Sequence, residues 1–242
     1  MISDAETEGL PSNKDISNGY RAEVKIKGVF TPPWNQKLFA WRFFSRSDYL
    51  IEASTSFEGQ IVADLGCGSH LDSHILLDVV GARGHIAIEP YNMHSFYERL
   101  IESSEAKGKE ELNSKIRKMQ VYIGHLKMYD QNRVNRLVVG MKRHLNHGTG
   151  DLPVSLVAED MLTALRRLPN ESVSILASGI DECIVPKDVY AEKVEKEISR
   201  VLNPKGAFIG ESSRFRPAKL MQDNRWNHDS TFSKYVKLKE LV

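Results

Sequence analysis

Five residues have the types and spacing to hold a ligand: Asp64, Gly66, Gly68, Glu89 and Asp160. Asp64 closes an apolar run, IVADL, and a glycine-rich turn follows it. Gly66 and Gly68 permit backbone angles, and a close approach to a bound molecule, that side chains would block. Glu89 comes 21 residues after Gly68, behind a second short apolar run, GHIAI. An acid in that place can accept hydrogen bonds from both hydroxyls of a ribose. Asp160 stands behind a third run, VSLV. The chemistry these positions invite is recognition of a nucleoside, or of something built on one.

Positioning them requires strands that end at a common edge. Val62 and Leu65 give the first run its strand character, and Ile75, Leu76, Val79 and Val80 continue the helical spacing opened by Leu71. The turn therefore leads from a strand into a helix N-terminus, as in α/β folds that bind nucleotides beyond the carboxyl ends of parallel strands. A dinucleotide fingerprint needs a third glycine, G-x-G-x-x-G, and Leu71 occupies that position. Later, Tyr190, Val194, Ile198, Val201 and Leu202 form one apolar stripe, with Asp188 as N-cap and Asn203-Pro204 as stop. Lys205-Gly206 then turns the chain into Ala207-Phe208-Ile209.

DLGCG resembles the first motif of the class I S-adenosylmethionine-dependent methyltransferases, with His70 where a third glycine is frequent. LPNESVSILASG resembles that family's approach to its fourth strand, and EISRVLNPKGAFIGES its E-x-x-R-V-L-K-P-G-G helix, turn and fifth strand. The resemblance runs over residues 59–212, apart from one long interruption. It implies a Rossmann-like, doubly wound, mostly parallel sheet with helices on both faces. It further implies S-adenosyl-L-methionine as cofactor, leaving as S-adenosyl-L-homocysteine, and methyl transfer to an O or N atom of a small-molecule acceptor. Asp64, Leu65, Gly66, Cys67 and Gly68 would lie beside its methionyl part and Glu89 and Pro90 beside the ribose. Asp160 and Met161 would hold the adenine, and Ser178 would stand at the end of the fourth strand. Acids that could serve as a base come from SGIDECIVP: Asp181 and Glu182, with Glu211 as a third candidate. Metal-dependent members carry an acid directly after the fourth strand; Ser178 is there instead, so no metal is expected.

More than sixty residues separate Glu89 from Val154. Within them Leu112, Ile116, Met119, Ile123 and Leu126 trace one apolar seam, and Val134, Val138, Met141 and Leu145 another. The spacing predicts a helical hairpin turning near Tyr129-Asp130, an insertion at about residues 95–150. Its other faces carry Lys115, Lys118, Lys127, Arg133, Arg136, Lys142 and Arg143. This basic surface is a solvated face or an attractor for an anionic partner, and the seam could join two copies in a homodimer. His144 and His147 are expected to face solvent. His70 and His74 stand four apart, and His70 reads as a turn residue beside the ligand.

Residues 1–18 read as a disordered lead and 19–58 as an aromatic-rich helical cap, followed by the core over 59–242. In the cap, TPPW lacks the acid of the D-P-P-Y/W tetrad and reads as a turn ahead of a helix. Trp34, Phe39, Trp41, Phe43, Phe44 and Tyr49 then pack that helix or form a lid. The 242 residues are 41% hydrophobic with a net charge of +1, enough for one core and no advertisement for nucleic acid or an anionic membrane. Two cysteines, Cys67 and Cys183, offer no disulfide framework. The first residues are acidic and polar, without the apolar core of a signal peptide, which points to a cytoplasmic protein. Two other classes share these features: a cofactor-binding, non-catalytic interaction module, and a protein or RNA methyltransferase that uses the insertion for recognition.

Overall fold

The computed structural model describes residues 47–68, 72–90, 114, 116–121, 130–147, 152–178, 180, 188–211, 215–217, 220–222 and 232–236. The elements are α1 (Ser47–Phe57), β1 (Ile61–Leu65), α2 (Asp72–Val79), β2 (Gly84–Ile88), α3 (Gln131–His147), β3 (Val154–Val157) and α4 (Met161–Arg167). They continue with β4 (Ser174–Ser178), α5 (Asp188–Val201), β5 (Ala207–Glu211), β6 (Met221–Gln222) and β7 (Phe232–Val236). The strands form one sheet in the order β3-β2-β1-β4-β5-β7-β6. β1 to β5 run parallel, while β7 is antiparallel to both β5 and β6. This is a Rossmann-like, doubly wound α/β fold, and the strand order reverses between β1 and β4, where such sheets open a crevice.

Alternation along the strands divides the core in two. Val62, Leu176, Ala207 and Ile209 face a cluster built with α1, α2 and α3; Ala63, Leu65, Ile88, Ile175, Ala177 and Phe208 face one built with α4 and α5. Buried parallel strands have no solvent face, which is why these runs read as almost continuously apolar. The stripe expected on α5 is there, with Val194, Ile198, Val201 and Leu202 fully buried. Asn203 ends it as expected: its side chain accepts from the Lys205 amide at 2.9 Å, and its backbone N–H donates to the Val173 carbonyl at 2.8 Å.

α1 lies inside the segment assigned above to a cap, yet Leu50, Ile51, Ala53 and Phe57 belong to the main core. The lead, the TPPW turn and the aromatics Trp34, Phe39, Trp41, Phe43 and Phe44 lie outside the described residues. The second helix of the expected insertion is α3. It is the crossover from β2 to β3 and packs against α2 and α1 on one face of the sheet. Asp130 caps it, its carboxylate accepting from the Asn132 amide at 2.9 Å. Leu137 and His144 are buried beside Val134 and Met141, so the inward face is broader than the seam Val134, Val138, Met141 and Leu145. His144 is therefore not solvent-facing as expected: it is 5% exposed, and its Nδ1 lies 2.9 Å from Asp78 on α2. His147 is exposed. Ile116 and Met119, from the first seam, are buried in the same cluster; Leu112, Ile123 and Leu126 lie outside the described residues. Gly140 lets α3 come this close, since a Cβ there would stand 1.9 Å from the Val79 carbonyl oxygen.

Candidate functional site

The candidate residues gather at the carboxyl ends of β1, β2 and β3, three neighbouring strands. Gly66 and Gly68 have φ of +66° and +63°, the left-handed region that glycine alone enters without strain. A Cβ on Gly66 would also stand 3.2 Å from Ile180, which reaches over the turn from beyond β4. The turn is strapped to the end of β2: the amides of Gly66 and Cys67 donate to the Ile88 carbonyl at 2.8 and 3.2 Å. The Gly68 amide donates to Glu89 Oε2 at 3.0 Å. Glu89 is 7% exposed, so the acid behind β2 and the glycine turn behind β1 are one hydrogen-bonded piece. A carboxylate can accept several hydrogen bonds at once. Pro90 follows, half-buried, with its φ fixed by its ring.

Asp64, at the end of β1, ties that strand to α2 and β2. It is 1% exposed, accepts from Ser73 Oγ at 2.5 Å and lies 3.4 Å from His85 Nε2. His85 Nδ1 in turn lies 3.0 Å from His74 Nδ1, the two rings stacked with centroids 5.2 Å apart. Two imidazole nitrogens in that contact can share only one proton, one donating and the other accepting. Sequence reasoning missed His85. Its signal was its place in GHIAI, on the same strand face as Ala87, where a buried polar residue must find partners. His74, weighed above for its spacing from His70, is committed to this network; His70 lies outside the described residues. Leu65 is fully buried, so only its main chain borders the site.

Cys67 is buried inside the turn, its Sγ 3.7 Å from the Gly68 carbonyl. Burial first, and the charges of Asp64 and Glu89 next, push its pKa well above the ordinary thiol value. It stays a protonated thiol at neutral pH and is no nucleophile there.

Asp160 is the N-cap of α4, with Oδ1 accepting from the Leu162 and Thr163 amides, each at 3.0 Å. The Tyr190 hydroxyl, from α5, donates to the same oxygen at 3.1 Å. Met161 packs its side chain into the core at 7% exposure, leaving only its main chain to border a ligand. Ser178 ends β4 opposite Glu211 on β5, and only their main chains are described. Asp181 and Glu182 lie outside the described residues.

No protein-family model and no curated protein matches the sequence. Among solved structures, the chain is similar to precorrin 8W decarboxylase of Methanobacterium thermoautotrophicum: 16% identity, TM-score 0.37, over 66% of this chain and 57% of that one. The chain thus spans little more than half the length of that protein. It is also similar to an rRNA methyltransferase of Streptomyces viridochromogenes, at 12% identity and TM-score 0.45, over 86% of this chain and 94% of that one. A ribosomal protein methylase of Lactobacillus delbrueckii subsp. bulgaricus is 14% identical with TM-score 0.39, over 83% of this chain and 77% of that one. Likeness at this level does not reach substrate, cofactor or partner.

Proposed function

We propose that this chain is an S-adenosylmethionine-dependent methyltransferase acting on an O or N atom of a small-molecule acceptor. The observation that carries the reading is the bond from the Gly68 amide to buried Glu89, which joins a left-handed glycine turn and an acid into one cradle. The residues fit the group. The turn takes its left-handed path at two glycines, and Glu89 and Asp160 are acceptors suited to ribose hydroxyls and an adenine amine. A dinucleotide has less support: the third glycine is missing, and antiparallel β7 occupies the place beside β5 where the dinucleotide fold continues parallel.

When bound, the cofactor supplies an electrophilic methyl group on a sulfonium. The task left to the chain is alignment, worth more here than proton transfer. Glu89 fixes the ribose, the Gly66–Gly68 turn admits the methionyl part, and Asp160 takes the adenine amine. Asp64 holds the start of α2 to the end of β1 through Ser73. For a hydroxyl or ammonium acceptor, Asp181 or Glu182 would take the proton from beyond β4.

An RNA-binding insertion draws little support from the described arginines of α3. Arg136 lies 3.1 Å from Glu58, Arg133 3.7 Å from Asp130, and Arg143 2.9 Å from Asp78. Among the described residues, no helix is long and apolar enough to cross a membrane.

Calorimetric titration of the purified chain with S-adenosylhomocysteine tests the reading, once co-purified ligand is stripped. Micromolar binding that Glu89→Ala weakens supports it. A folded protein that fails to bind overturns it.

A further inference from the structure

We infer that Tyr190 is a positioning residue that makes the site selective for the 6-amino group of adenine, acting through Asp160. This rests on the cofactor reading above. Tyr190 comes from α5, 30 residues along the chain from Asp160, yet its hydroxyl donates to Asp160 Oδ1 at 3.1 Å. The same hydroxyl lies 3.4 Å from the Leu162 amide, the donor that already caps α4 through Oδ1. An N-cap needs only the amides of Leu162 and Thr163 on Oδ1; the Tyr190 hydroxyl comes from a different helix, accepts a longer share of the Leu162 N–H and is itself a third donor to Oδ1.

What it adds is orientation. Three donors on Oδ1 fix the rotation of the carboxylate and direct the ligand to Oδ2. An ionised carboxylate only accepts, so Oδ2 selects a ligand group that donates. The 6-amino group of adenine donates. The 6-oxo group of hypoxanthine presents a lone pair to a lone pair and is rejected, the discrimination expected of a site built around one hydrogen bond.

The experiment compares affinities for S-adenosylhomocysteine and S-inosylhomocysteine in wild type, Tyr190→Phe and Asp160→Asn, by calorimetry. Wild type should prefer the adenosyl ligand. Tyr190→Phe should lose adenosyl affinity about tenfold and inosyl affinity much less, so that the ratio shrinks. Asp160→Asn keeps a good N-cap residue. With Tyr190 and both amides still donating, the amide oxygen must remain in the Oδ1 place and its NH2 group must face the ligand. That variant should therefore prefer the inosyl ligand. Equal losses for both ligands in Tyr190→Phe would reduce Tyr190 to a packing residue. An unchanged adenosyl preference in Asp160→Asn would overturn the inference even if Tyr190→Phe failed to fold. Failure of wild type to bind either ligand would overturn the cofactor reading itself.

Discussion

Glu89 and Gly68 meet across 21 residues of sequence, and this single hydrogen bond decides how the site responds to substitution. Glu89→Ala removes a charged acceptor from the turn and from the ribose, so S-adenosylhomocysteine affinity should fall about 10- to 100-fold, or roughly 1.5–3 kcal/mol. Unchanged affinity would place the ribose elsewhere. Gly68→Val forces a β-branched residue to φ near +63°, and the folded variant should show no cofactor binding in the same titration. Cys67 gives a pH prediction. Its folded pKa is raised, so the unfolded chain releases this proton first, near pH 8.5 or about the ordinary thiol value. Stability from the buried thiol is complete below that pH and declines as pH climbs through it toward the folded value. Cys67→Ala should flatten the alkaline limb of a stability-pH curve, and iodoacetamide should label wild type slowly at pH 8 until denaturant is added. Fast labelling of the native chain would contradict the burial.

At the scale of elements, α3 is the crossover helix that the insertion conceals. Its periodicity predicted a helix there, but only packing shows that the helix closes the sheet face. Gly140→Ala should push α3 off the Val79 carbonyl and cost about 1–3 kcal/mol, read as a lower midpoint in urea. A neutral result would mean that the helices separate freely. Arg200 has a comparable role on the other face. Its guanidinium donates to the Leu165 and Leu168 carbonyls at 2.8 and 2.9 Å, satisfying carbonyls at the C-terminal end of α4, and to Glu197 at 2.6 Å. The E-x-x-R spacing of Glu197 and Arg200, read above as a family resemblance, thus carries a physical reason: one helix caps its neighbour.

For the whole molecule, polar side-chain pairs join parts that the chain order keeps apart. Lys234 on β7 pairs with Glu52 on α1, and Asp78 on α2 is held by both Arg143 and His144 of α3. Removing one partner strands the other in a low-dielectric setting. Lys234→Met should cost about 3 kcal/mol, and adding Glu52→Leu should recover much of it. A thermal melt of the single and double variants would show the recovery, and purely additive losses would argue that the pair is not coupled.

The glycine turn, the acids behind three strands and the helix-turn-strand of β5 were legible in the sequence, because strand period, turn chemistry and helix stops are local properties. Asp64, Gly66, Gly68, Glu89 and Asp160 stand in or just beyond β1, β2 and β3, so their gathering at one edge of the sheet follows from the strand pattern. Tertiary structure decided what those residues touch. It turned Asp64 inward to Ser73 and His85, buried His144 against Asp78, and brought Tyr190 to Asp160. Such partners come from elements far apart in the chain, and no local pattern encodes which of two polar residues will face each other once the helices dock.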